Sequence, residues 1–215
     1  MATTGNLDRW ADSFPLSLVP QIIHLLLDSW ENFITNKTHE VPITQEFFAV
    51  LDRNHEFLKL PFLIDLEVPL PSPDGTEILG RLDLRFIYGY RRKVYLSVEC
   101  KRLRIHTSDG FKTLSYEYVT EGMVRYFNRQ YAQDLDKGGM LGYVMDGDCD
   151  GAVADVQKAI ERQRLDLYMR ENETLKASSC ITSKQVKETL HKYGPTKRFT
   201  IYHVFLPMNI APNTN

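Results

Sequence analysis

The residues best suited to chemistry lie between Gly80 and Arg102, in the run GRLDLRFIYGYRRKVYLSVECKR. Near its end stand Glu99 and Lys101, two positions apart. In an extended strand that spacing puts both side chains on one face, with Cys100 on the other. A carboxylate and an ammonium near the end of an otherwise apolar strand are costly to bury without a partner or a purpose. Asp83 adds a third charge. If residues 81–88 and 93–101 form a hairpin, a turn centred on residue 91 sets Asp83 opposite Glu99, and the basic segment from Tyr90 to Arg92 is where a turn is expected. Two carboxylates at that separation repel, and a divalent cation is the usual resolution. Oxygen donors suit Mg2+ or Mn2+, and no histidine or cysteine cluster argues for zinc. A neighbouring lysine can orient or deprotonate a water, or neutralise charge gathering on a phosphate in the transition state. Carboxylates, cation and lysine together are what in-line attack of water on a phosphodiester requires.

Such a site needs elements to hold it, and periodicity predicts them. Residues 20–35 place Ile22, Ile23, Leu26, Trp30, Phe33 and Ile34 on one helical face, with Pro20 in the first turn. A second helix follows, TQEFFAVLDRNHEFLK, with Thr44 as its N-cap and Phe47, Phe48, Leu51 and Leu58 inward. LIDLEVPL alternates as a strand, PSPDG has turn chemistry, and EILGRLDLRFIYG and KVYLSVECK are two more strands. After the loop RLRIHTSDG a helix is expected from about Thr113 to Asp136, then the strand MLGYVM, then a helix from about Ala152 to Asn172. Residues 173–195 are polar and read as a mobile loop with a short helix, KQVKETLHKY; RFTIYHVFLP closes the chain as a strand and APNTN is a frayed tail. Three hairpin-linked strands followed by one reached through a helix imply a mixed β-sheet flanked by helices.

The aspartate of GRLDL and the Glu-x-Lys of VECK, each preceded by apolar strand residues, resemble the PD-(D/E)XK nuclease superfamily. The order helix, three strands, helix, strand is similar to that superfamily's core over about Thr44 to Met145. Leu82, where the motif's name has proline, is a departure common in the superfamily. The resemblance implies an α/β (α+β) restriction-endonuclease-like core (αβββαβ) in residues 44–215, with residues 1–43 as a helical decoration. It implies Asp83 and Glu99 as metal ligands, the Cys100 carbonyl as a further one, and Lys101 as the catalytic lysine. A glutamate of the first core helix often joins them; Glu46 is the candidate, with Glu56 behind it. The implied activity is Mg2+-dependent hydrolysis of nucleic acid, DNA before RNA, with Mn2+ able to substitute. At this length no module for reading a sequence is visible. Target choice is therefore expected from a larger regulatory or sensor protein or a second copy, as in an antiviral defence or restriction system.

Local charge agrees. Between Arg81 and Lys112 nine basic residues face three acidic ones, in a chain of net charge -2. Arg85, Arg102 and Arg104 fall in this stretch as candidate phosphate contacts. The next helix offers Arg125 and Arg129, four apart and so on one face, and Gln130; the plain alternative is the wet side of an amphipathic helix.

Composition bounds the remainder. A hydrophobic fraction of 43% with 25% charged residues allows a real core, and three scattered cysteines exclude a disulfide framework. Without a secretory leader or a membrane-length apolar run, a cytoplasmic protein is expected. Asp146, Asp148 and Asp150 imitate the start of a calcium loop, but Gln157 stands where glutamate is required. Two other readings compete with the nuclease: a catalytically silent module binding nucleic acid or a partner, and a core ion pair between Glu99 and Lys101.

Overall fold

A computed structural model of the protein describes residues 14–72, 74–89, 94–128, 135–193 and 197–208. Helix α1 (Leu18–Glu31) buries Ile22, Ile23, Leu26 and Trp30 as three-and-four spacing predicts, and Leu25 besides, whereas Ile34, expected on the same face, lies beyond the helix and is exposed. Helix α2 (Glu40–Leu58) starts four residues ahead of the expected cap. Pro42 sits in its first turn, where a missing N–H costs nothing. Thr44 is thereby inside the helix; its hydroxyl donates to the Glu40 carbonyl (2.9 Å) and lies 3.0 Å from the Tyr143 hydroxyl. Ile43, Phe47 and Leu51 complete the inward stripe, and each contributes about 1.5–3 kcal/mol by burial. The expected boundary between residues 43 and 44 falls within this helix.

Three strands follow as a meander: β1 (Phe62–Pro71), β2 (Ile78–Tyr88) and β3 (Tyr95–Leu103), antiparallel throughout. A small hairpin comes next, β4 (Ile105–Thr107) with β5 (Gly110–Lys112). The expected helix to Asp136 is instead short and composite. Helix α3 spans residues 115–126 as one α turn (Ser115–Glu117), a π turn (Tyr118–Gly122) and a 3-10 turn (Met123–Tyr126). Gly122 leaves helical geometry there (φ -113°, ψ -80°), and a Cβ at that position would collide with Met140 Cε. Strand β6 (Lys137–Val144) runs parallel to β3, and helix α4 (Cys149–Arg162) follows, ending ten residues before Asn172. Asp148 caps α4 by accepting the Gly151 amide.

The expected helix KQVKETLHKY is overturned. It forms β8 (Val186–Tyr193), antiparallel to β9 (Lys197–Pro207), with the two-residue β7 (Lys176–Ala177) outside it. Lysine, glutamine, glutamate and leucine favour helix locally, but pairing with β9 buries Val186, Thr189 and His191 and decides the matter. The result is a mixed seven-stranded sheet in the order β1-β2-β3-β6-β9-β8-β7, flanked by helices. Helices α1 and α2 cover one face, over Leu84, Phe86, Val98, Cys100 and Tyr143; α3 and α4 cover the other, over Leu103, Met140, Val144 and Phe205. No helix among the described residues is long and apolar enough to cross a membrane. At one edge, β1 carries Pro69 and Pro71, and Glu67 holds a left-handed backbone (φ 48°).

One buried polar chain ties the second layer to the sheet. Leu167 O can only accept, so His191 Nδ1 donates to it (2.7 Å) and His191 Nε2 must accept from Thr189 (2.7 Å). Thr189 then accepts from His203 Nε2 (2.9 Å), and the Tyr118 hydroxyl donates to His203 Nδ1 (3.0 Å). Every group has a partner with both imidazoles neutral, the form that burial favours by lowering His191 to about 4 and His203 to about 3.

Candidate active site

The site sits where β2 parts from β3. Their pairing runs from Ile87–Tyr95 to Leu84–Val98, a register in which positions 83 and 99 would face each other. Beyond that pair a side chain takes over from the backbone: Asp83 Oδ2 accepts the Cys100 amide at 2.7 Å. On the other flank, β1 and β2 pair on either side of Glu67 and Asp83 but not through them. Leu84 packs under α1 and α2 while Leu82 packs under α3 and α4, so β2 rotates at Asp83.

Central strand β3 is buried on both faces, and Glu99 is only 1% exposed. A carboxylate so placed must be compensated. Lys101 Nζ donates to Glu99 Oε1 at 2.9 Å and Arg125 Nη1 does so at 2.7 Å. The same ammonium donates to the Cys100 carbonyl and to Glu40 Oε1, both at 3.0 Å. Glu40 Oε2 accepts the Arg102 amide at 3.2 Å. Among the described residues, the carboxylates of Glu40, Asp83 and Glu99 share the cluster with Lys101 and Arg125. Burial, and then the charge of Glu99, push Asp83 up to about 7. Burial opposes the charge on Lys101, but Glu99, Glu40 and Asp83 outweigh it and hold the ammonium above the usual lysine range. In this arrangement Lys101 is a donor and a counter-charge to the carboxylates around it.

Asp83, Glu99, Lys101 and Cys100 are brought together. Glu46 is not with them: it accepts from the Thr35 hydroxyl and faces Lys37 at 3.6 Å. Its place is taken by Glu40, one turn ahead of buried Thr44 and so on the inward stripe of α2. Glu40 escaped the sequence reading because the helix was expected to start at Thr44; the spacing Glu40, Thr44, Phe47, Leu51 was the available signal. Of the arginines, Arg125 braces Glu99, and Arg85 pairs with Asp65 while its guanidinium lies 5.6 Å over the Tyr95 ring. Arg104 is engaged by Asp146 (2.8 Å), Asp148 (3.0 Å) and Asp155 (2.6 Å), which commits it to carboxylates instead of phosphate. Arg102 points to the opposite face and donates to the Thr38 carbonyl. Arg129, Gln130, the basic turn at Tyr90 to Arg92 and the APNTN tail lie outside the described residues.

Among the described residues no group of three or more His, Cys, Asp or Glu side chains has the spacing to hold a metal. The donor chemistry nonetheless fits a hard divalent cation. Asp83, Glu99 and the Cys100 carbonyl are oxygen donors, and the burial and Glu99 charge that raise Asp83 are both offset by a cation. Glu99 and Cys100 would have to exchange Lys101 for that ion. No family model matches the chain, and neither does any curated protein or solved structure.

Proposed function

We propose that this chain is a metal-dependent nuclease that hydrolyses phosphodiester bonds, DNA foremost, on a restriction-endonuclease-like core. The observation that carries this reading is the seating of Asp83 on the Cys100 amide beside the buried Glu99–Lys101 pair, where β2 leaves β3. The order α2, β1–β2–β3 meander, α3, then β6 parallel to β3 supports the core. Asp83, Glu99 and the Cys100 carbonyl would hold Mg2+ or Mn2+, which supplies a water of lowered pKa and positive charge for the phosphate. With Glu99 and the Cys100 carbonyl turned to the ion, Lys101 keeps Glu40 and offers its freed ammonium donors to an oxygen of the scissile phosphate. Arg125 keeps Glu99 in place, and Glu40 holds Lys101 from the α2 side. Selection of the target falls to a larger regulatory or sensor protein or to a second copy.

Purified protein is expected to nick or degrade DNA only with Mg2+ or Mn2+. Asp83→Asn, Glu99→Gln and Lys101→Met are each expected to slow cleavage by about 100-fold or more while circular dichroism shows the fold retained. Undiminished cleavage by all three variants would end the proposal. One observation favours a second reading: the Glu99 carboxylate is already engaged by Lys101 and Arg125 without any ion. A purely structural ion cluster would give no cleavage and no rise in Tm with millimolar Mg2+.

A further inference from the structure

Lys101 and Arg102 are neighbours on β3, so their side chains leave opposite faces of the sheet. Glu40 spans the two, taking Lys101 Nζ on one oxygen and the Arg102 amide on the other. On the Arg102 side opens a cleft of about 650 Å³, within the range of small-molecule sites. Its walls are the 35–39 segment leading into α2, the β4–β5 hairpin, and the ends of β6 and β9. Lys37, His39, Arg102 and His106 line it, and among the described residues no lining residue is acidic. Its apolar part is Ile105, Met145 and Met208.

An apolar wall edged by positive charge suits a flat ring that carries an anion. Thioether sulfur packs well against aromatic rings, and phosphate is drawn to the surrounding cations. The walls are held before any occupant arrives. Arg104 clamps the hairpin base against three aspartates and lies 4.9 Å over the Phe111 ring, which in turn packs 5.4 Å from His106. Arg102 ties the opposite wall at Thr38. Among the described residues Lys37 pairs with the exposed Glu46 at 3.6 Å, a pair weak enough to exchange for phosphate.

We propose that this cleft takes a single unpaired nucleotide of the substrate strand, its base against Met145 and Met208 and its phosphate on Lys37, Arg102 and His106. The word substrate rests on the nuclease reading above; the cleft itself does not. A base stacked within a duplex has both faces covered by its neighbours and cannot enter without being extruded. The substrate class therefore narrows to strands with unpaired nucleotides: single strands, frayed ends or flaps.

Fluorescence anisotropy of the full chain in EDTA tests this, with a labelled oligothymidylate of about 12 nucleotides, a blunt duplex of the same length, and dTMP as competitor. The single strand is expected to bind about tenfold or more tighter than the duplex. The double variant Lys37→Ala/His106→Ala, both at solvent-exposed positions, is expected to weaken it about tenfold, with Lys158→Ala on α4 as the unaffected control. Equal or tighter duplex binding, or a double variant that binds like the parent, would overturn the cleft. Displacement by dTMP at the oligonucleotide's own Kd would overturn the strand in favour of a free nucleotide. No metal is present in this assay. A parent protein that binds but never cleaves thus fails the nuclease reading alone, and unchanged binding by the double variant fails the cleft alone.

Discussion

Asp83 and the two buried histidines set opposing pH dependences, and the signs can be worked out residue by residue. Asp83 titrates near 3.8 when unfolded and about 7 when folded. Between those values the native state holds the proton that the unfolded state has lost, so stability falls as pH rises from about 4 to 7. Above pH 7 its ionised, partly buried carboxylate destabilises the metal-free protein. Asp83→Asn should therefore stabilise the metal-free protein at pH 8, by on the order of 1–2 kcal/mol after allowance for partial exposure, and the gain should vanish near pH 4. Mg2+ should stabilise the parent chiefly above pH 7. His191 and His203 act the other way. Their folded values of about 4 and about 3 lie below the ordinary 6.5, so their contribution is complete above pH 6.5 and is lost as pH falls. At pH 5 each costs about 2 kcal/mol. Acid sensitivity between pH 7 and 5 should accordingly be steeper in Asp83→Asn than in the parent; calorimetric melts across that range would show it, and parallel curves would contradict the assigned protonation states.

At the scale of elements, α3 aims Arg125 at Glu99, and glycines let it do so. A Cβ at Gly138 would stand 2.5 Å from Tyr126 Cε1, and the Tyr126 hydroxyl donates to the Gly139 carbonyl (2.7 Å) with Ser97 O at 3.1 Å. Gly138→Ala should cost about 1–3 kcal/mol in chemical unfolding, because a rigid ring has nowhere to yield. An unchanged midpoint would mean that α3 is more loosely seated than its contacts imply. The same elements mark how far the sequence could be read. The hairpin β2–β3 was legible because alternation and a basic turn fix its register, and with it the approach of Asp83 to Glu99. Helix α3 was not, since its π and 3-10 turns answer to Gly138, Gly139 and Met140 of β6, partners that no local window contains. Strand β8 was hidden by helix-favouring residues whose pairing with β9 is tertiary. Glu40 was missed through Thr44, a good cap residue that instead bonds across to Tyr143.

For the molecule as a whole, the sheet's outer boundaries carry the remaining consequence. Strand β1 ends in Pro69 and Pro71, which offer no N–H, and Glu67 turns the backbone left-handed between them and Asp65; at the far boundary β7 is two residues long. Leu63 is 60% exposed beside that first boundary, so the region is not protected by polarity alone. Lateral annealing of one molecule's sheet onto another's is therefore obstructed from both sides. Prolonged agitation should leave thioflavin signal flat for the parent and let it grow for Pro69→Val/Pro71→Val; growth in the parent would refute this. Any lasting complex with another protein or a second copy must then be built from helices and loops, and fibre formation is not the route by which this fold would be lost.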